Sequence, residues 1–328
     1  MTWSYEKAGV DIEKGNSWID VISRIISKHR SDPAVIGGIG SFAGLYALNE
    51  KEFLAACCDG VGTKLELAKK TGLFKGLGQD LVAMNLNDLV TCNARPLFFL
   101  DYIACGKLDQ QILARIMEGI VDSCESCNCI LLGGETAEMP DVYSEKGFDL
   151  AGFSVGLGDR SQLIDGRTIS EGDVITGLYS SGIHSNGFSL VRHVIGKDDL
   201  NSYSENLGDN LGKVLLEPTR LYVNQALSCA STGCVKAMAH ITGGGLVENI
   251  SRTMPESLKP EIDFGSWTRL PVFDYLAGKD IPEDEMRKVF NLGIGFAFIT
   301  SSEDIERLHE TLHKLGEKPV QIGKVIRQ

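Results

Sequence analysis

The placement of the glycines limits most strongly what this chain can fold into. Of its 328 residues, 37 are glycine, about 11% where ~7% is typical. They occur in short clusters, each at the end of an apolar run. The clusters are Gly37-Gly38-Ile39-Gly40, Gly60-Val61-Gly62, Gly133-Gly134, Ser181-Gly182 and Gly243-Gly244-Gly245. Any one of them could be an ordinary turn. Because glycine lets the backbone adopt φ > 0 and approach a ligand closely, five such turns together predict a large anion or nucleotide over several strand ends.

Hydrophobic periodicity predicts helices and strands that alternate along the chain. Helices are predicted at 17–29, 80–92, 109–124, 186–195, 218–227, after Gly243 and at 302–315, and strands at 53–58, 97–105, 130–132, 150–157, 174–179 and 295–299. The alternation predicts an α/β or α+β fold. The polar stretch 158–173 separates the two halves, which predicts domains at 1–165 and 166–328. Residues 33–45 show neither period and are predicted to form a mobile loop.

Composition excludes several classes of function. The formal net charge is −12, and no cluster of Lys and Arg offers a phosphate-binding surface, so a nucleic-acid partner is not expected. Apolar runs are much shorter than the ~20 residues of a membrane helix, and the polar N-terminus has no signal-peptide pattern. We therefore expect a cytoplasmic protein that acts on small molecules or binds a partner.

Nine cysteines raise the question of a metal or redox site. Cys124, Cys127 and Cys129 form the one tight group, but they lack the second pair of ligands that zinc sites require. An odd number of cysteines also argues against a disulfide framework. We interpret these cysteines as buried or half-buried thiols.

Acidic residues at strand or helix ends are the better candidates for chemistry. They are Asp59, Asp88, Asp101 and Glu135. Mg²⁺ prefers one or two carboxylates together with substrate phosphates, so acids beside flexible glycines favour a Mg·nucleotide site. Each could also be a helix cap or a solvated turn residue. The P-loop and dinucleotide-binding patterns are absent, although Lys64 could still serve a phosphate.

Six stretches together resemble the signatures of the phosphoribosylformylglycinamidine cyclo-ligases, the AIR synthetases of purine biosynthesis. They occur in family order and cover almost the whole chain. They are Tyr5 to Ile12 (YEKAGVDI), Asp59 to Leu65 (DGVGTKL), Asn87 to Leu89 with Pro96 to Tyr102 (NDL, PLFFLDY), Gly133 to Pro140 (GGETAEMP), Ser180 to Gly187 (SSGIHSNG) and His240 to Leu246 (HITGGGL). Two minor departures are Arg95, where the family usually carries an acid or Lys, and Asp141, which replaces a common Gly.

The resemblance implies a fold and a reaction. Each subunit of a homodimer would contribute a four-stranded N-terminal sheet to a β-barrel, a C-terminal α/β domain would pack beside it, and ATP would bind between the domains. The reaction would convert formylglycinamidine ribonucleotide and ATP to aminoimidazole ribonucleotide, ADP and phosphate. Phosphorylation would make the formyl oxygen a leaving group, so that the amidine nitrogen can close the ring. Such phosphoryl transfer depends on positioning and charge neutralisation.

The resemblance also implies roles for single residues. Asp59, Asp88 and Glu135 would bind Mg²⁺, and His184 and His240 would transfer protons. Lys64 would add charge at the phosphates, as a catalytic and ATP-binding residue. The other ATP- and phosphate-binding residues would be Gly37, Gly38, Gly40, Gly60, Gly62, Thr63, Asn87, Asp101, Thr242, Gly243, Gly244 and Gly245, of which the first three would form a closing flap.

Two alternatives remain open from the sequence. A sister kinase, such as a selenophosphate synthetase or a thiamine-phosphate kinase, would keep the acids and change the acceptor. Selenophosphate synthetases tend to carry a reactive Cys or selenocysteine near the N-terminus, and here the first cysteine is Cys57. The second alternative is a non-catalytic nucleotide-binding regulator, which the intact acids disfavour.

Overall fold

The chain forms two β-sheets with helices packed on them, in a computed structural model that describes residues 3–29, 32–38 and 40–328. The helices are α1 (Ile12–Ile26), α2 (Lys64–Thr71), α3 (Lys75–Val90), α4 (Gln110–Ser126), α5 (Phe188–Ile195), α6 (Leu211–Leu215), α7 (Val223–Ala230), α8 (Gly245–Ser251), α9 (Pro271–Ala277), α10 (Glu283–Val289) and α11 (Ile305–Lys314). The strands are β1 (Val35–Ile36), β2 (Gly44–Ala47), β3 (Glu52–Gly60), β4 (Arg95–Cys105), β5 (Ile130–Glu138), β6 (Phe148–Asp159), β7 (Val174–Tyr179), β8 (Tyr203–Ser204), β9 (Asp209–Asn210), β10 (Val235–His240), β11 (Leu258–Ile262), β12 (Ile294–Thr300) and β13 (Val320–Arg327). The predicted α/β class is confirmed.

The N-terminal sheet has six strands in the order β1-β2-β3-β6-β4-β5, so the expected four-stranded sheet is wrong in its count. Only β4 and β5 run parallel, and the other neighbours are antiparallel. The first two strands form an edge hairpin in the segment predicted to lack strands. Such short strands carry too few residues for a periodic signal.

Helices α3 and α4 cover one face of this sheet and cross closely at two glycines. A Cβ on Gly78 would lie 2.2 Å from the carbonyl oxygen of Ile116, and one on Gly119 would lie 2.1 Å from that of Lys75. Helix α3 is buried on nearly every side, because it also contacts β10 and α7 of the C-terminal half. Its polar side chains therefore need partners inside the protein.

The other face of the N-terminal sheet is uncovered in one chain. Along β6, buried residues alternate with more accessible ones over the whole strand. The accessible positions include Phe153, which is 39% exposed, and Tyr102 on β4 is 42% exposed. A sheet with a second apolar face of this kind normally packs against another layer.

The C-terminal sheet has five strands, in the order β10-β12-β7-β13-β11, all antiparallel. Strands β7 and β12 are almost completely buried, which explains why their continuous apolar runs could be predicted. Strands β10, β11 and β13 and several short helices have weaker patterns, and periodicity missed them. In the described part of the chain, no helix has the length and apolar character needed to cross a membrane.

Candidate active site

Two carboxylates, Asp59 and Asp88, face each other across the end of β3 and the last turn of α3. Asp59 continues the buried row of Phe53 and Cys57, so its side chain points towards the helices. The amide of Asn85 holds the Asp59 backbone: its Oδ1 accepts from Asp59 N at 3.1 Å, and its Nδ2 donates to Asp59 O at 3.3 Å. Oδ1 of Asp59 accepts from Gly60 N at 2.7 Å. Strand and helix thus fix both acids side by side.

The C-terminal half contributes His240 to this pair of acids. His240 ends β10, is fully buried, and has its Nδ1 2.8 Å from Oδ1 of Asp88. Its Nε2 lies 3.3 Å from Nδ2 of Asn87. The side chain of Asp88 is 18% exposed. The His240 end of this group is therefore enclosed by the protein, while the Asp88 carboxylate is partly exposed.

The electrostatics of the pair favour a cation. Burial first, and the charge of Asp88 second, raise the pKa of Asp59 to about 6 from 3.8, while the Gly60 N–H and His240 oppose the shift. A divalent ion between the two carboxylates would remove that repulsion. The donor set thus fits Mg²⁺ completed by phosphate oxygens. Among the described residues, no group of three or more His, Cys, Asp or Glu side chains is arranged to hold a metal.

Lys64 does not lie in a phosphate site. Its side chain is fully buried, and its Nζ donates to Oδ1 of Asp80 and to the Glu217 carbonyl, each at 2.9 Å. Burial lowers the pKa of Lys64, and the charge of Asp80 opposes that shift. Oδ1 of Asp80 also accepts from both N and Oγ1 of Thr219 at 2.7 Å. The structure does not support phosphate contact by Lys64, because its three N–H groups point into an interface between the two halves.

His184 belongs to the same interface. Its Nε2 faces the backbone N–H groups of Ser181 at 3.3 Å and Arg220 at 3.5 Å, and its buried Nδ1 has no hydrogen-bond partner among the residues that the structure describes. Burial, and then the charges of His240, Lys64 and Arg220, hold the pKa of His184 well below its ordinary value. A neutral, enclosed imidazole that accepts from backbone does not support the predicted proton transfer.

We call this interface the domain joint: the loop Glu217 to Tyr222 together with the side chains that hold it. From the N-terminal half these are Lys64, Gln79, Asp80 and Asn87, and from the C-terminal half Ser181, His184 and Ser185. Sequence reasoning missed Gln79, Asp80, Asn85 and Thr219. The signal that could have found the first three is their place on a helix too apolar to have a solvent face.

The two remaining predicted acids lie apart from Asp59 and Asp88. Asp101 is in register with Asp59, since both pair with Gly152, but it lies two strands away, about 10 Å by strand spacing. It is 8% exposed, and a Cβ on Gly134 would fall 2.2 Å from its Oδ1. Glu135 is exposed and pairs with Tyr102, so it points to the opposite, uncovered face. The structure does not bring Asp101 or Glu135 to the acid pair within one chain.

The turn after β3 is partly open. Gly62 has a φ of +69° with open space around it, and Thr63 is exposed, with its hydroxyl 3.1 Å from that of Ser189. Gly60 has a packing role instead, because a Cβ there would lie 2.9 Å from the Leu150 carbonyl oxygen. Gly62 and Thr63 therefore keep their predicted place beside Asp59, at a point that a phosphate could approach.

The second glycine turn is held from within the protein. Nδ2 of Asn249 donates to the carbonyls of Gly243 at 3.2 Å and Gly245 at 2.7 Å, and its Oδ1 accepts from the Thr242 hydroxyl at 3.2 Å. A Cβ on Gly244 would lie 2.6 Å from the carboxylate of Glu248. Gly244 and Gly245 are buried, whereas Thr242 and Gly243 are partly exposed. The nearby negative charge does not support a phosphate at Gly244, and Gly243 remains accessible.

The flap glycines lie in the loop of the β1–β2 hairpin. Gly37 and Gly40 have φ values of +76° and +111°, and Gly38 has ordinary φ; a Cβ on any of them would meet open space. Ile39 between them lies outside the described residues. The three glycines themselves are thus free of close packing.

The group of cysteines shows the surroundings expected of structural thiols. Cys124, Cys127 and Cys129 are buried free thiols, at the end of α4 and the start of β5. Their burial confirms the interpretation made from the sequence for this group and for Cys57, whereas Cys58 is exposed because it points to the uncovered face of the sheet, so the interpretation is wrong for that residue.

Comparison with known proteins identifies the class. The family described as AIR synthase related protein matches the chain with its N-terminal domain over residues 32–157 and its C-terminal domain over residues 170–328. The curated phosphoribosylformylglycinamidine cyclo-ligase of Burkholderia cenocepacia is 47% identical over 326 residues, which cover 98% of this chain and 93% of that protein.

Solved structures share the fold at low identity. Thiamine-monophosphate kinase from Stenotrophomonas maltophilia superposes with a TM-score of 0.65 at 19% identity, covering 94% of this chain and 93% of that chain. AaThiL complexed with AMPPCP and TMP gives a TM-score of 0.67 at 17% identity, covering 95% and 90%.

The fold and the two matching domains thus define a protein of the AIR synthase related class. Within that class, the identity over nearly the full length shows that the chain belongs to the phosphoribosylformylglycinamidine cyclo-ligase family.

Proposed function

We propose that this chain catalyses the ATP-dependent ring closure of formylglycinamidine ribonucleotide to aminoimidazole ribonucleotide, with release of ADP and phosphate. The observation that carries the proposal is the 47% identity over 98% of the chain to a curated cyclo-ligase. The kinases that share the fold are below 20% identical and support only the architecture. We further propose a cytoplasmic enzyme with a domain boundary near residue 165.

ATP and Mg²⁺ are the cofactors that the acid pair suits. AaThiL was solved with the ATP analogue AMPPCP, which supports nucleotide binding in this fold. We assign Asp59 and Asp88 to the metal, because burial and then the charge of Asp88 raise the pKa of Asp59, and a bound cation would offset both effects. Bound Mg²⁺ would supply neutralisation of the phosphate charge that develops during transfer.

The protein's own groups would orient the reactants. His240 holds one oxygen of Asp88, and the open backbone at Gly62 and Thr63 is placed to donate N–H groups to phosphate oxygens. The β1–β2 loop, with Gly37, Gly38 and Gly40, would close over the triphosphate and exclude water, which would otherwise hydrolyse a phosphorylated formyl oxygen. The amidine nitrogen of the substrate would then attack the formyl carbon.

A second copy of the chain is the partner that we propose for the uncovered sheet face. Many of the accessible positions there are apolar, and these are contiguous across β3, β6, β4 and β5. They include Leu54, Phe98, Leu100, Tyr102, Ile130 and Phe153. Large exposed apolar patches mark interfaces. Pairing two such faces would form the barrel of a homodimer and would bring Glu135 to the interface.

The test is a direct assay of product. The protein is supplied with formylglycinamidine ribonucleotide, ATP and Mg²⁺, and aminoimidazole ribonucleotide and ADP are measured together. We expect equal amounts of both, and no ADP above background when thiamine monophosphate replaces the substrate. Folded protein that consumes ATP only with thiamine monophosphate, or forms no aminoimidazole product, would refute the proposed function.

A further inference from the structure

The side chain of Asn87 is fully buried on α3, and two backbone groups of the domain joint fix its orientation. Its Oδ1 accepts from Tyr222 N at 2.8 Å, and its Nδ2 donates to Arg220 O at 2.9 Å. Because a backbone N–H only donates and a carbonyl only accepts, the amide cannot be turned over without losing both bonds. The loop of the C-terminal half therefore determines which way this amide points.

The amide in turn fixes the state of His240. Nδ2 of Asn87 lies 3.3 Å from Nε2 of His240. An amide nitrogen can only donate, so Nε2 must be the acceptor and the ring proton must be on Nδ1. That Nδ1–H then donates to Oδ1 of Asp88 at 2.8 Å. One chain of hydrogen bonds runs from the backbone of the domain joint through Asn87 and His240 to Asp88.

We propose that Asn87 is a positioning residue, which orients the Asp88 carboxylate through His240 and leaves its second oxygen for the Mg·nucleotide. The inference rests on the proposed function only for the identity of that ligand. It replaces the phosphate contact predicted for Asn87, because the amide is fully buried and both of its N–H donors are occupied, so it has no donor to offer a phosphate. Contact between the two halves of the chain then also orients the Asp88 carboxylate.

Helix α3 offers a matched control. Nε2 of Gln79 donates to Thr219 O at 2.9 Å, so Gln79 bonds the same loop from the same helix without contacting His240 or Asp88. Asn87→Leu and Gln79→Leu each remove hydrogen bonds across the domain joint. A merely structural role for Asn87 would make the two variants differ in stability alone.

The experiment measures three quantities for both variants and the wild type: thermal stability, binding of Mg·AMPPCP, and the ¹⁵N chemical shifts of the His240 ring. We expect both variants to lose stability. Only Asn87→Leu should alter the His240 shifts and weaken Mg·AMPPCP binding, by about 10-fold, the lower end of the loss typical when a direct partner of a metal ligand is removed, because Asn87 acts through His240. Unchanged His240 shifts, with nucleotide affinity equal to that of Gln79→Leu, would overturn the proposal.

The wild-type protein provides a check that needs no variant. Its spectrum should show His240 with the proton on Nδ1 and Nε2 as acceptor. A ring protonated on Nε2 alone would refute the inferred chain of bonds even if Asn87→Leu does not fold. Because these readouts do not involve ring closure, failure of the product assay alone would reject the proposed reaction and leave the positioning role intact.

Discussion

At the residue scale, two pairs of charged residues behave differently. One pair is neutralised inside the protein, and the other is a candidate site for a ligand. Lys64 and Asp80 satisfy each other in the domain joint, at 2.8 Å between Nζ and Oδ2. Asp59 and Asp88 repel each other, and the Gly60 N–H and His240 only partly offset the effect on the pKa of Asp59. The first pair supports the structure, and the second is the candidate site.

The buried pair predicts a strong effect on stability. Lys64→Met should lower the free energy of unfolding by about 3–5 kcal/mol, because Asp80 is left charged and uncompensated in the interior. The double variant Lys64→Met/Asp80→Asn should recover most of that loss, since Asn keeps an acceptor for Thr219 N. Urea denaturation of both variants measures the difference. A single variant as stable as the wild type would show that the pair is not desolvated.

The acid pair predicts a dependence on pH. The pKa of Asp59 is raised in the folded state, so its favourable contribution is complete below 3.8 and is lost as pH rises through about 6. In metal-free buffer, Asp59→Asn should therefore raise the free energy of unfolding at neutral pH by up to about 3 kcal/mol, and not at pH near 4. Denaturation at the two pH values checks this. An equal gain at both would assign the effect to something other than ionisation.

The same shift gives an expectation for the metal. Because a proton competes with Mg²⁺ for Asp59, Mg·AMPPCP affinity should fall as pH falls through about 6. Asp59→Asn should show weaker affinity with a flatter profile. Calorimetric titration over this range measures it, and a wild-type affinity independent of pH would contradict the assignment of Asp59.

At the scale of elements, one helix and one hairpin determine the site. Helix α3 is packed on all sides, so each polar residue on it meets a partner from a different element: Asp80 meets Lys64, Asn85 the Asp59 backbone, and Asn87 the domain joint. The β1–β2 hairpin is the opposite case, because its glycines meet open space. The closely packed helix positions the acids, and the sparsely packed glycines belong to the loop that we propose covers the ligand.

The hairpin predicts different effects for two neighbouring glycines. Gly40→Ala places a Cβ on a backbone with a φ of +111°, whereas Gly38 has ordinary φ and open space. We expect Gly40→Ala to speed amide exchange in β1 and β2 about 5- to 30-fold, which corresponds to roughly 1–2 kcal/mol of strain, and to lower turnover. Gly38→Ala should leave both near wild type. Hydrogen exchange with and without Mg·AMPPCP measures this, and equal behaviour of the two variants would refute the idea.

At the scale of the whole molecule, two interfaces matter. The domain joint brings His240 of the C-terminal half to Asp88 of the N-terminal half. The uncovered sheet face is the second interface that we propose, and a second copy of the chain would bury there side chains such as Tyr102 and Phe153, which one chain leaves about 40% exposed. In this proposal, the site depends on contacts both within and between chains.

The second interface predicts the mass in solution. Wild type should sediment at about twice 35.6 kDa, and Phe153→Asp should sediment as a monomer, because a charge at the centre of the apolar face cannot be buried without a partner. Leu315→Asp is the control, since Leu315 is also exposed, at 41%, but lies at the end of α11. A wild-type mass near 35.6 kDa at all concentrations would exclude the homodimer.

The sequence by itself determined the fold class, the order of the longer elements and the family, and it proposed the acids as candidates for the site. Strand β7 and helix α4 carry apolar patterns long enough to be predicted with nearly correct bounds. Asp59 was selected because it follows an apolar strand and precedes glycine, and Asp88 because it lies near the end of an apolar helix; both are local signals. The family resemblance added the reaction.

Only the tertiary structure decided which polar residues face a ligand and which face each other. Lys64 lies in a glycine-rich stretch that suggests phosphate binding, yet its partner Asp80 is 16 residues away and Glu217 is 153 residues away. Glu135 lies on the uncovered face of the sheet because the strand register pairs it with Tyr102, which points to that face. Such outcomes depend on packing between elements that are distant in sequence. The chemistry of a side chain alone does not show which face of its helix or strand will be buried, or against which element.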